Sequence, residues 1–400
     1  MGIKVGVFFG GNSVEHEVSV ISALQALPLF DRGKYEPFPV YIARDGAMYV
    51  GSAVGEIESY RDIPSLIAKS RRVTGVRDGG RFLLTRYPAR RFGSSVESAV
   101  DVAFPIVHGT NVEDGALQGY FRTMGVPFVG CDVTASAVGM DKYVTKAVLR
   151  DNGIPVLDCR RVFSKSFFRD TEGVVRDAAK AVSPFPAIVK PANLGSSVGI
   201  KTADNAEELR AALEYAFLYT DNALVERAVR PLREINCAVL GDQESAIASE
   251  CEEPLGSGAI LSYSDKYSAG SKGGGAKGVN GMNAAGRKLP ADLSPDARER
   301  VRDLARKTFQ VLQCRGVARI DFLAGPDGQV WVEEVNTIPG SLAFYLWEPV
   351  GISYGELLDR LIGLALKKAR EEEALTYSFE TSILADFRPG ALKNSAQKGR

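Results

Sequence analysis

Apolar residues recur along the chain with two spacings, and these spacings predict a succession of strands and helices. The amino-terminal run IKVGVFFGG predicts a buried strand, and GNSVEHEVSVISALQAL after it has apolar positions at helical spacing. VDVAFPIVHG (100–109) predicts a later strand, and EDGALQGYFRTMG the helix that follows it. Strands that alternate with helices are typical of α/β domains. We therefore predict an α/β fold whose first domain, residues 1–140, is built on an open parallel sheet.

The rest of the chain predicts two further α/β domains and a tail. The helical pattern TASAVGMDKYVTKAVLRDNG ends at a glycine and leads into a second domain, residues 141–230, with strands and one amphipathic helix. Residues 231–386 predict a third domain, with strands, the helix SPDARERVRDLARKTFQVL, a hairpin and the closing helix GELLDRLIGLALKKAREEE. Residues 387–400 predict a flexible basic tail.

A glycine-rich stretch interrupts the third domain. Residues 270–281 contain six glycines and two lysines, which is too polar a composition to pack and too long for a tight turn. A disordered linker would have this composition. Long loops without structure inside compact domains are often active-site lids, however, and we predict a lid at 266–286.

The charge balance excludes a strongly polarised molecule. The 400 residues contain 49 Lys and Arg against 49 Asp and Glu, so no global field favours nucleic acid or a membrane, and we expect neither as a partner. One segment, residues 71–91, has seven arginines and one aspartate. It has no aromatic stacking series, so a solvated hairpin surface is a better interpretation than a nucleic-acid site.

Cysteine usage and the amino terminus point to the cytoplasm. The five cysteines are scattered without CxxC spacing, which argues against a disulfide framework or a zinc site. The sequence enters a strand directly, without the layout of a signal peptide, and no apolar run approaches the length of a membrane span. We expect a cytoplasmic protein.

The segment GVARIDFLAGPDGQVWVEEVN predicts a hairpin that turns at the Asp-Gly pair 327–328. A two-residue turn there places Asp321 opposite Glu334 and Arg319 opposite Asn336, on one face. Opposed carboxylates repel each other unless a cation lies between them, and oxygen ligands suit Mg²⁺ or Mn²⁺ rather than Zn²⁺. A solvated face with Arg319 as counter-ion is equally compatible with the hairpin taken alone.

The segment KPANLGSSVG (190–199) has features of a phosphate-binding loop. Lys190 ends an apolar strand, Gly195 lets backbone amides approach a ligand, and Ser196 and Ser197 add donors. The segment lacks the GK[ST] of a Walker A loop, and the amino terminus lacks GxGxxG. Alone it is compatible with an ordinary hairpin loop. Together with the oxygen-rich hairpin it indicates a nucleoside triphosphate held between two domains.

The chain resembles the ATP-grasp ligases, and among them the D-alanine–D-alanine ligase family. The resemblance runs from about residue 3 to about residue 384 and rests on eight segments in the family's order: FFGGNSVEHEVS, VHGTNVEDGALQG, GMDKYVTK, IVKPANLGSSVG, ALVERAV, SYSDKY, ARIDF and EEVNTIPG. It implies an ATP-grasp architecture that holds ATP between the central and carboxy-terminal domains. The implied reaction makes D-alanyl-D-alanine for peptidoglycan synthesis through an acyl phosphate, and a homodimer is the family's habit.

The resemblance also implies an ATP and metal site. The residues implied to contact ATP are Lys142 and Lys190 at the phosphates, Ser196 and Ser197 in the loop, Glu226 and Val229 at the adenine, Glu234 at the ribose, and Lys266 at the transferred phosphate. The residues implied to hold two Mg²⁺ ions, with Mn²⁺ possible, are Asp321, Glu334 and Asn336.

For the first D-alanine, the resemblance implies that Glu15 binds the ammonium and that His108 lies nearby. Tyr267 would close the lid against Ser196 and Glu15. The residues alone also allow another interpretation, in which Asn12 and Glu15 are a helix-capping pair and His108 is structural.

For the second step, the resemblance implies that Arg319 and the amide of Gly340 stabilise the oxyanion. The chain departs from the family after this point, where SLAFYLWEPVG replaces a segment rich in Thr and Ser. Tyr345 aligns with the family serine that binds the carboxylate of the second D-alanine. Its phenol, or the hydroxyl of Ser341, could take over this contact, or the aromatics of the segment could only pack.

Three functions follow from these observations. The first is D-alanyl-D-alanine synthesis, and the second is the same mechanism with another amino or hydroxy acid as acceptor. The lid carries a tyrosine and lacks the histidine of ligases that make D-alanyl-D-lactate, which favours an amine. The third is nucleotide binding without turnover, and the complete set of implied catalytic residues argues against it.

Overall fold

The computed structural model describes residues 2–195, 197–255 and 286–376. Ser196, Lys266 and Tyr267, nearly all of the predicted lid, and the predicted tail lie outside the described residues. The chain divides into two compact units, residues 1–366 and 367–400. The described part of the second unit is the end of a helix, where Lys368 and Glu372 form an i,i+4 ion pair of 3.0 Å.

Sixteen strands occur in the described parts of the chain. They are β1 (Ile3–Gly10), β2 (Tyr35–Ile42), β3 (Met48–Val50), β4 (Arg71–Asp78), β5 (Arg81–Arg86), β6 (Val96–Val100), β7 (Val102–Pro105), β8 (Cys159–Phe163), β9 (Ala187–Pro191), β10 (Lys201–Ala203), β11 (Asn222–Arg227), β12 (Arg233–Gly241), β13 (Ala246–Pro254), β14 (Arg287–Lys288), β15 (Gly316–Ala324) and β16 (Val330–Asn336).

Ten α-helices lie between and after these strands in the same residues. They are α1 (His16–Ala26), α2 (Ile63–Lys69), α3 (Ala116–Met124), α4 (Val133–Met140), α5 (Lys142–Asp151), α6 (Ser164–Arg169), α7 (Thr171–Val182), α8 (Ala206–Ala216), α9 (Pro295–Val311) and α10 (Tyr354–Glu373). A 3₁₀ segment spans Gly340–Leu346. Among the described helices, none combines the length and apolarity that crossing a membrane requires.

The first sheet is mixed, with strand order β6-β5-β4-β3-β2-β1-β7. Only β1 with β2 and β1 with β7 pair in parallel, and the remaining pairs are antiparallel. The prediction of a parallel sheet was therefore wrong for its outer four strands. Most of these strands follow one another through short connections, and a short connection reverses the chain, which only antiparallel pairing allows.

The arginine-rich segment forms the β4–β5 hairpin, as predicted. Asp78 pairs with Arg81 across the glycine pair 79–80. Glu97 on β6 accepts hydrogen bonds from Arg71 at 2.7 Å and Arg86 at 2.9 Å. Burial opposes the charge of Glu97, but these arginines lower its pKa. Part of the segment's positive charge is thus neutralised within the sheet.

The second and third sheets are the two walls of the candidate site. The second has the order β10-β9-β11-β8, and helices α7 and α8 pack against it. The third has the order β14-β13-β12-β15-β16, and every pair in it is antiparallel. Helix α9 packs against one face of the third sheet through Val301, Ala305 and Phe309, which are fully buried. The opposite face of the third sheet is left for the site.

The core of the first sheet extends to the segment that follows β16. Buried side chains of β1 and β7 share one apolar cluster with Ile338, Trp347 and Leu361. The hydroxyl of Tyr35 donates a hydrogen bond of 2.7 Å to Asp359 on α10. The segment after the hairpin therefore returns to the first sheet and brings its backbone to the edge of the site.

Candidate active site

The β15–β16 hairpin has the register that the sequence predicts. Asp321 lies opposite Glu334, and Arg319 lies opposite Asn336. The turn, however, is not the predicted two-residue turn. The amide of Gly325 donates to the carbonyl of Gln329 at 2.9 Å, so the connection has three residues. The register also shifts between Asp321 and its neighbour, which makes Glu333 an extra, bulged residue. The two changes compensate each other.

The bulge keeps a charge out of the core. Without it, alternation would place Glu333 opposite Phe322, beneath α9. With it, Val332 takes that position and is 1% exposed. Glu333 and Glu334 both line the same cavity instead. The sequence reasoning missed Glu333, although a second carboxylate in the apolar strand VWVEEVN is a signal that strict alternation was broken.

Glu333 belongs to a buried network of four charges. Its carboxylate forms ion pairs with Lys190 and, at 3.2 Å, with Lys146. Glu226, which is fully buried, lies 2.9 Å from Lys190 and 2.7 Å from Lys146. Lys146 was not predicted, although it follows Lys142 by one helical turn on α5.

The network favours the charged forms of Lys190 and Glu333. Burial opposes the charge of Lys190, but Glu226 and Glu333 outweigh it and raise the pKa of that ammonium. Burial likewise opposes the charge of Glu333, but Lys146 and Lys190 outweigh it and lower the pKa of that carboxyl. Lys190 is thereby fixed as a cation at the wall of a cavity, which is a suitable partner for phosphate.

A cavity of about 870 Å³ lies between the second and third sheets. This volume is at the upper end of the usual range for small-molecule sites. Its lining combines apolar side chains, including Leu157, Ile188 and Leu323, with charged side chains. The predicted residues that line it are Lys142, Lys190, Ser197, Val229, Glu234, Asp321 and Glu334. Glu226, predicted at the adenine, instead lies beneath Lys190 and Lys146.

Two of the predicted metal ligands, Asp321 and Glu334, line this cavity, and the third, Asn336, lies beside Asp321. Arg319 donates two hydrogen bonds of 2.7 Å to the two oxygens of Asp321, and Asn336 Nδ2 donates to Asp321 Oδ2 at 3.1 Å. Lys142 Nζ lies 3.0 Å from Glu334 Oε2. Burial opposes the charge of Arg319, but Asp321 outweighs it and raises the pKa of the guanidinium. Each carboxylate thus has a cationic neighbour.

This donor set fits Mg²⁺ in a site where phosphates supply further ligands. Within residues 2–195, 197–255 and 286–376, no group of three or more His, Cys, Asp or Glu side chains is arranged to hold a metal alone. Asp321 and Glu334 provide two carboxylates and Asn336 an amide oxygen. Mg²⁺ usually takes one or two carboxylates and completes its shell with phosphate and water, so the residues present are sufficient.

A second, small cavity of about 60 Å³ adjoins the first. Its volume corresponds to a few water-sized groups, the scale of a small amino acid. The predicted residues that line it are Glu15, His108, Lys142, Arg319, Glu334, Asn336 and Gly340. The residues that line both cavities are Lys142, Leu194, Gly195 and Glu334. A group bound in one cavity is therefore next to a group bound in the other.

Glu15 points into the small cavity and does not cap a helix. It occupies the N-cap position of α1, yet its side chain makes no capping hydrogen bond. Its carboxylate lies against two glycines: a Cβ on Gly195 would be 3.0 Å from Glu15 Oε2, and a Cβ on Gly109 would be 2.9 Å from it. Glu15, at the start of α1, thus reaches the serine-glycine loop that follows β9.

Both ring nitrogens of His108 have partners in the protein. Nδ1 donates to the carbonyl of Ile338 at 2.9 Å, and Nε2 lies 3.3 Å from the hydroxyl of Ser22. Burial lowers the pKa of the ring to about 4, so His108 is neutral near pH 7. The imidazole lines the small cavity and also fixes the loop before Gly340, so it positions the site structurally.

Glu113 is a second buried carboxyl in the small cavity, and the sequence reasoning missed it. It accepts hydrogen bonds from the amides of Gly109 at 3.0 Å and Ile338 at 2.9 Å. Burial raises its pKa to about 8, with a further contribution from the charge of Glu15. Its position in the sequence could have indicated it, because Glu113 follows His108 by five residues within VHGTNVEDGALQG, one of the segments that carry the family resemblance.

The segment after Gly340 has an unusual backbone. Ser341, Leu342 and Ala343 have φ values of 48°, 56° and 50°, a left-handed turn that non-glycine residues rarely adopt. The Ser341 hydroxyl donates to Gln25 on α1 at 2.7 Å. The Tyr345 hydroxyl donates to Glu252 at 2.8 Å. Both candidate replacements for the family serine therefore have intramolecular partners, and neither reaches the small cavity.

The neighbouring aromatics of this segment pack, as one of the sequence interpretations proposed. Trp347 is fully buried. The ring of Phe344 stacks on that of Tyr354 at 4.6 Å and 5°.

Comparison with known proteins places this geometry in a family. The model described as "D-ala D-ala ligase N-terminus" matches residues 4–131, and "D-ala D-ala ligase C-terminus" matches residues 148–363. A D-alanine–D-alanine ligase of Thermosipho melanesiensis is 32% identical over 96% of this chain and 98% of its own length. D-alanine–D-alanine ligase A of Chromobacterium violaceum is 39% identical over 94% of this chain and 98% of its own.

The chain belongs to the D-alanine–D-alanine ligase family.

Solved structures of ligases agree with this assignment. The D-alanine–D-alanine ligase of Coxiella burnetii superimposes with a TM-score of 0.75 and 31% identity, over 93% of this chain and 96% of that one. The VanG D-Ala:D-Ser ligase of Enterococcus faecalis gives a TM-score of 0.73 and 29% identity, over 91% of this chain and all of that one. The ATP-grasp fold predicted from the resemblance is confirmed. In this ligase-family chain, the second and third sheets are the two halves that face each other across the large cavity.

Proposed function

We propose that the chain is an ATP-dependent ligase that joins two molecules of D-alanine into D-alanyl-D-alanine for peptidoglycan synthesis. The observation that carries this proposal is the contact between the two cavities, which share Lys142, Leu194, Gly195 and Glu334. A cavity of nucleotide size beside one of amino-acid size places a γ-phosphate next to a carboxylate. Family membership supplies the identity of the amino acid.

In the first step, a carboxylate oxygen of D-alanine attacks the γ-phosphorus of ATP, the bond to the β-phosphate oxygen breaks, and ADP leaves. Glu15 binds the ammonium of this D-alanine. Lys190 and Lys142 hold the phosphate oxygens, because both are buried cations beside the large cavity. Phosphoryl transfer depends mainly on such positioning and charge neutralisation.

In the second step, the amine of the other D-alanine attacks the acyl carbon. The carbonyl oxygen becomes an oxyanion, the bond from carbon to the phosphate oxygen breaks, phosphate leaves, and the amine releases a proton. Arg319 and the amide of Gly340 line the small cavity and stabilise the oxyanion. One donor of this kind is worth about 3 kcal/mol.

Asp321, Glu334 and Asn336 would hold two Mg²⁺ ions, and Mn²⁺ would suit the same oxygen ligands. When bound, the metal would neutralise charge on the phosphates. Arg319 and Lys142 orient the two carboxylates, since each lies within 3.0 Å of one of them. Ser196, Lys266 and Tyr267 keep the roles that the family resemblance gives them.

The organisation of the molecule is also proposed from the family. The proposed domains are residues 1–140, 141–230 and 231–386, with a lid at 266–286 and a flexible tail at 387–400. The three sheets lie in residues 3–105, 159–227 and 233–336, which is compatible with these limits. We further propose a homodimer located in the cytoplasm, where ATP is available and where five free cysteines would remain reduced.

The test is ADP release from the purified protein with Mg-ATP and D-alanine alone, with the dipeptide detected by mass. D-alanine-dependent ADP release with D-alanyl-D-alanine as product is the expected result. If ADP release required another amino or hydroxy acid, that compound would be the acceptor in place of D-alanine. A protein that binds ATP but releases no ADP with any acceptor would contradict the ligase proposal.

A further inference from the structure

The arginine-rich segment of the first sheet has no part in the proposed ligase reaction. It forms β4 and β5, and residues 87–95 then lead to β6, the edge strand of that sheet. None of residues 71–97 lines the large or the small cavity. The chain as a whole is neutral, but this segment carries seven arginines against two acidic residues, Asp78 and Glu97. A concentration of cations away from the site needs an explanation of its own.

Most of these arginines lie at one end of the strands. The amide of Tyr87 donates to the carbonyl of Arg72 at 3.0 Å, which brings the start of β4 beside the end of β5. The amide of Arg86 donates to the carbonyl of Ser95 at 2.8 Å, and the amide of Arg90 donates to the hydroxyl of Ser95 at 2.8 Å. The loop 87–95 therefore folds back onto the same end. The basic end, as it is named here, consists of Arg71, Arg72, Arg86, Arg90 and Arg91.

The arginines of the basic end share one carboxylate. Glu97 lies 2.7 Å from Arg71 and 2.9 Å from Arg86. A third ion pair, of 3.4 Å, joins Glu97 to Arg90. Among the residues that the structure describes, no other acidic side chain forms an ion pair with the basic end. One carboxylate balances only one guanidinium, so most of the positive charge at this end is left for an external partner.

Phe92 follows two arginines of the basic end and is almost entirely exposed. Its exposed fraction is 89%, compared with 74% for Leu218 and 67% for Phe168, the next most exposed large apolar side chains in the described part of the chain. Phe92 therefore adds little to the core, since an apolar side chain stabilises a fold by being buried. Arg90 and Arg91 beside it are exposed as well. An apolar ring in water beside several cations combines the two features with which peripheral proteins bind anionic membrane surfaces.

We propose that the basic end and Phe92 form a docking surface for a membrane that contains anionic lipids. The arginines pair with lipid phosphates, because the planar fork of a guanidinium matches the geometry of phosphate oxygens. Phe92 enters the boundary between headgroups and acyl chains, where its ring leaves water. Docking leaves the residues of both cavities untouched, since no residue of this surface lines either one.

A single-stranded nucleic acid fits this surface less well than a membrane does. Proteins that bind such strands stack successive bases on several aromatic rings. The other aromatic side chain of the loop 87–95 is Tyr87, and the Arg72 guanidinium covers its ring at 5.1 Å from the ring centre. Phe92 is then the one ring of this loop that is free of a cation and almost fully exposed. A single ring suits insertion into a lipid surface rather than a series of stacked bases.

The test measures sedimentation of the purified full chain with vesicles of phosphatidylcholine alone and with vesicles that also contain phosphatidylglycerol. We expect binding to the anionic vesicles only, and weaker binding as salt is added, because salt screens exposed charges. Phe92→Ser should weaken this binding about tenfold. The double variant Arg90→Gln/Arg91→Gln should weaken it about 25-fold, since each arginine near an anionic surface contributes a factor of about five. Phe168→Ser/Arg169→Gln is the matched control, because it removes an exposed Phe-Arg pair at the end of α6 and should bind as the wild type does.

Equal sedimentation with both kinds of vesicle, or none with either, would overturn the docking surface. The same conclusion would follow if Phe92→Ser left binding unchanged, or if the control variant weakened it as much. If single-stranded RNA bound the wild type more tightly than the anionic vesicles and lost affinity in the same variants, the surface would belong to nucleic acid. The unfolding temperature of Phe92→Ser should equal that of the wild type. A lower unfolding temperature would mean that Phe92 supports the fold and would overturn its role at a lipid surface.

Discussion

Glu333 and Glu334 are adjacent on β16, but they contact different parts of the site. Glu333 is bound by two buried lysines, Lys146 and Lys190, that belong to the wall of the cavity. Glu334 has Lys142 beside it and faces Asp321. Removing the first charge leaves buried cations short of a partner. Removing the second leaves Lys142 with the carbonyl of Leu194, to which it donates at 2.9 Å.

We therefore expect Glu334→Gln to lower kcat by about 100-fold or more while changing the unfolding temperature little. Glu333→Gln should act mainly on stability, by about 3 kcal/mol, because it breaks a buried ion network. Steady-state ADP release and thermal unfolding of both variants measure the contrast. If Glu334→Gln retained near-normal turnover, the metal assignment would be wrong.

The proton of Glu113 gives a test by pH. Its pKa is about 8 in the folded chain against an ordinary value of 4.5, so between these pH values the folded state holds a proton that the unfolded state has released. The free energy of unfolding must then fall as pH rises through this window. His108 has the opposite effect in acid. Its pKa is about 4 in the folded chain against an ordinary value of 6.5, so the free energy of unfolding falls as pH falls below 6.5.

Between pH 6 and pH 9 we expect the wild type to lose about 3 kcal/mol relative to Glu113→Gln, which has no such proton. Denaturant unfolding of both proteins at the two pH values measures this difference. Glu207→Gln, at an exposed carboxylate on α8, is the control and should run parallel to the wild type. If the free energy of unfolding of Glu113→Gln changed with pH as that of the wild type does, Glu113 would be ionised at neutral pH.

At the scale of single elements, the hairpin shows what sequence reasoning could and could not predict. The facing of Asp321 and Glu334 was predicted correctly, because a polar face in an apolar strand pair fixes which residues share a side. The turn was wrong, because an Asp-Gly pair also fits a three-residue loop with glycine in the left-handed region, here Gly328 with φ of 79°. The adjacent carboxylates of VWVEEVN signal that alternation is broken, but the position of the bulge follows from packing beneath the strand, here against Phe322 and α9.

The loop after β9 gives a prediction at the same scale. A methyl group on Gly195 would lie 3.0 Å from Glu15 Oε2 and 3.2 Å from Oε1, so the carboxylate must move. Because the end of a flexible side chain can move cheaply, we expect Gly195→Ala to change stability little and to raise the KM for the first D-alanine between about tenfold and 100-fold.

Gly363→Ala is the matched control for Gly195→Ala. Gly363 lies in α10 with no atom near its added Cβ, so that variant should be fully active and slightly more stable. Hydroxylamine traps the acyl phosphate as a hydroxamate in place of the second D-alanine. Hydroxamate formation at varied D-alanine concentration therefore reports the KM for the first D-alanine alone. An unaltered KM in Gly195→Ala would mean that Glu15 does not contact the first D-alanine.

At the scale of the whole molecule, the order of strands and helices was predictable, and the way in which distant segments complete one another was not. The first sheet takes Ile338, Trp347 and Leu361 into its core, and these residues come more than 200 positions after β7. Apolar periodicity marks such side chains as buried but does not say against what they pack. The small cavity has the same origin, since Glu15 and His108 lie in segments that follow β1 and β7 of the first sheet, and Arg319 lies on β15 of the third.

The charges around the large cavity give the prediction that concerns the whole molecule. Three buried lysines, Lys142, Lys146 and Lys190, are matched by three glutamates: Glu226, Glu333 and Glu334. Over its whole lining, the cavity has five cations (Lys142, Lys190, Lys201, Arg227 and Arg230) against four anions (Glu234, Asp321, Glu333 and Glu334). The net excess of one positive charge is far smaller than the negative charge of a triphosphate. A nucleotide alone must then bind weakly, and a divalent metal between it and the carboxylates of Asp321 and Glu334 must strengthen binding.

We therefore expect a non-hydrolysable ATP analogue to raise the unfolding temperature of the wild type only slightly in EDTA, and much more with Mg²⁺. A ligand at 100 times its Kd stabilises the folded state by about 2.7 kcal/mol, which thermal unfolding detects easily. In Glu334→Gln the increment that depends on Mg²⁺ should largely disappear. Equal stabilisation of the wild type with and without Mg²⁺ would mean that the lysines alone neutralise the phosphates and that the opposed carboxylates serve another purpose.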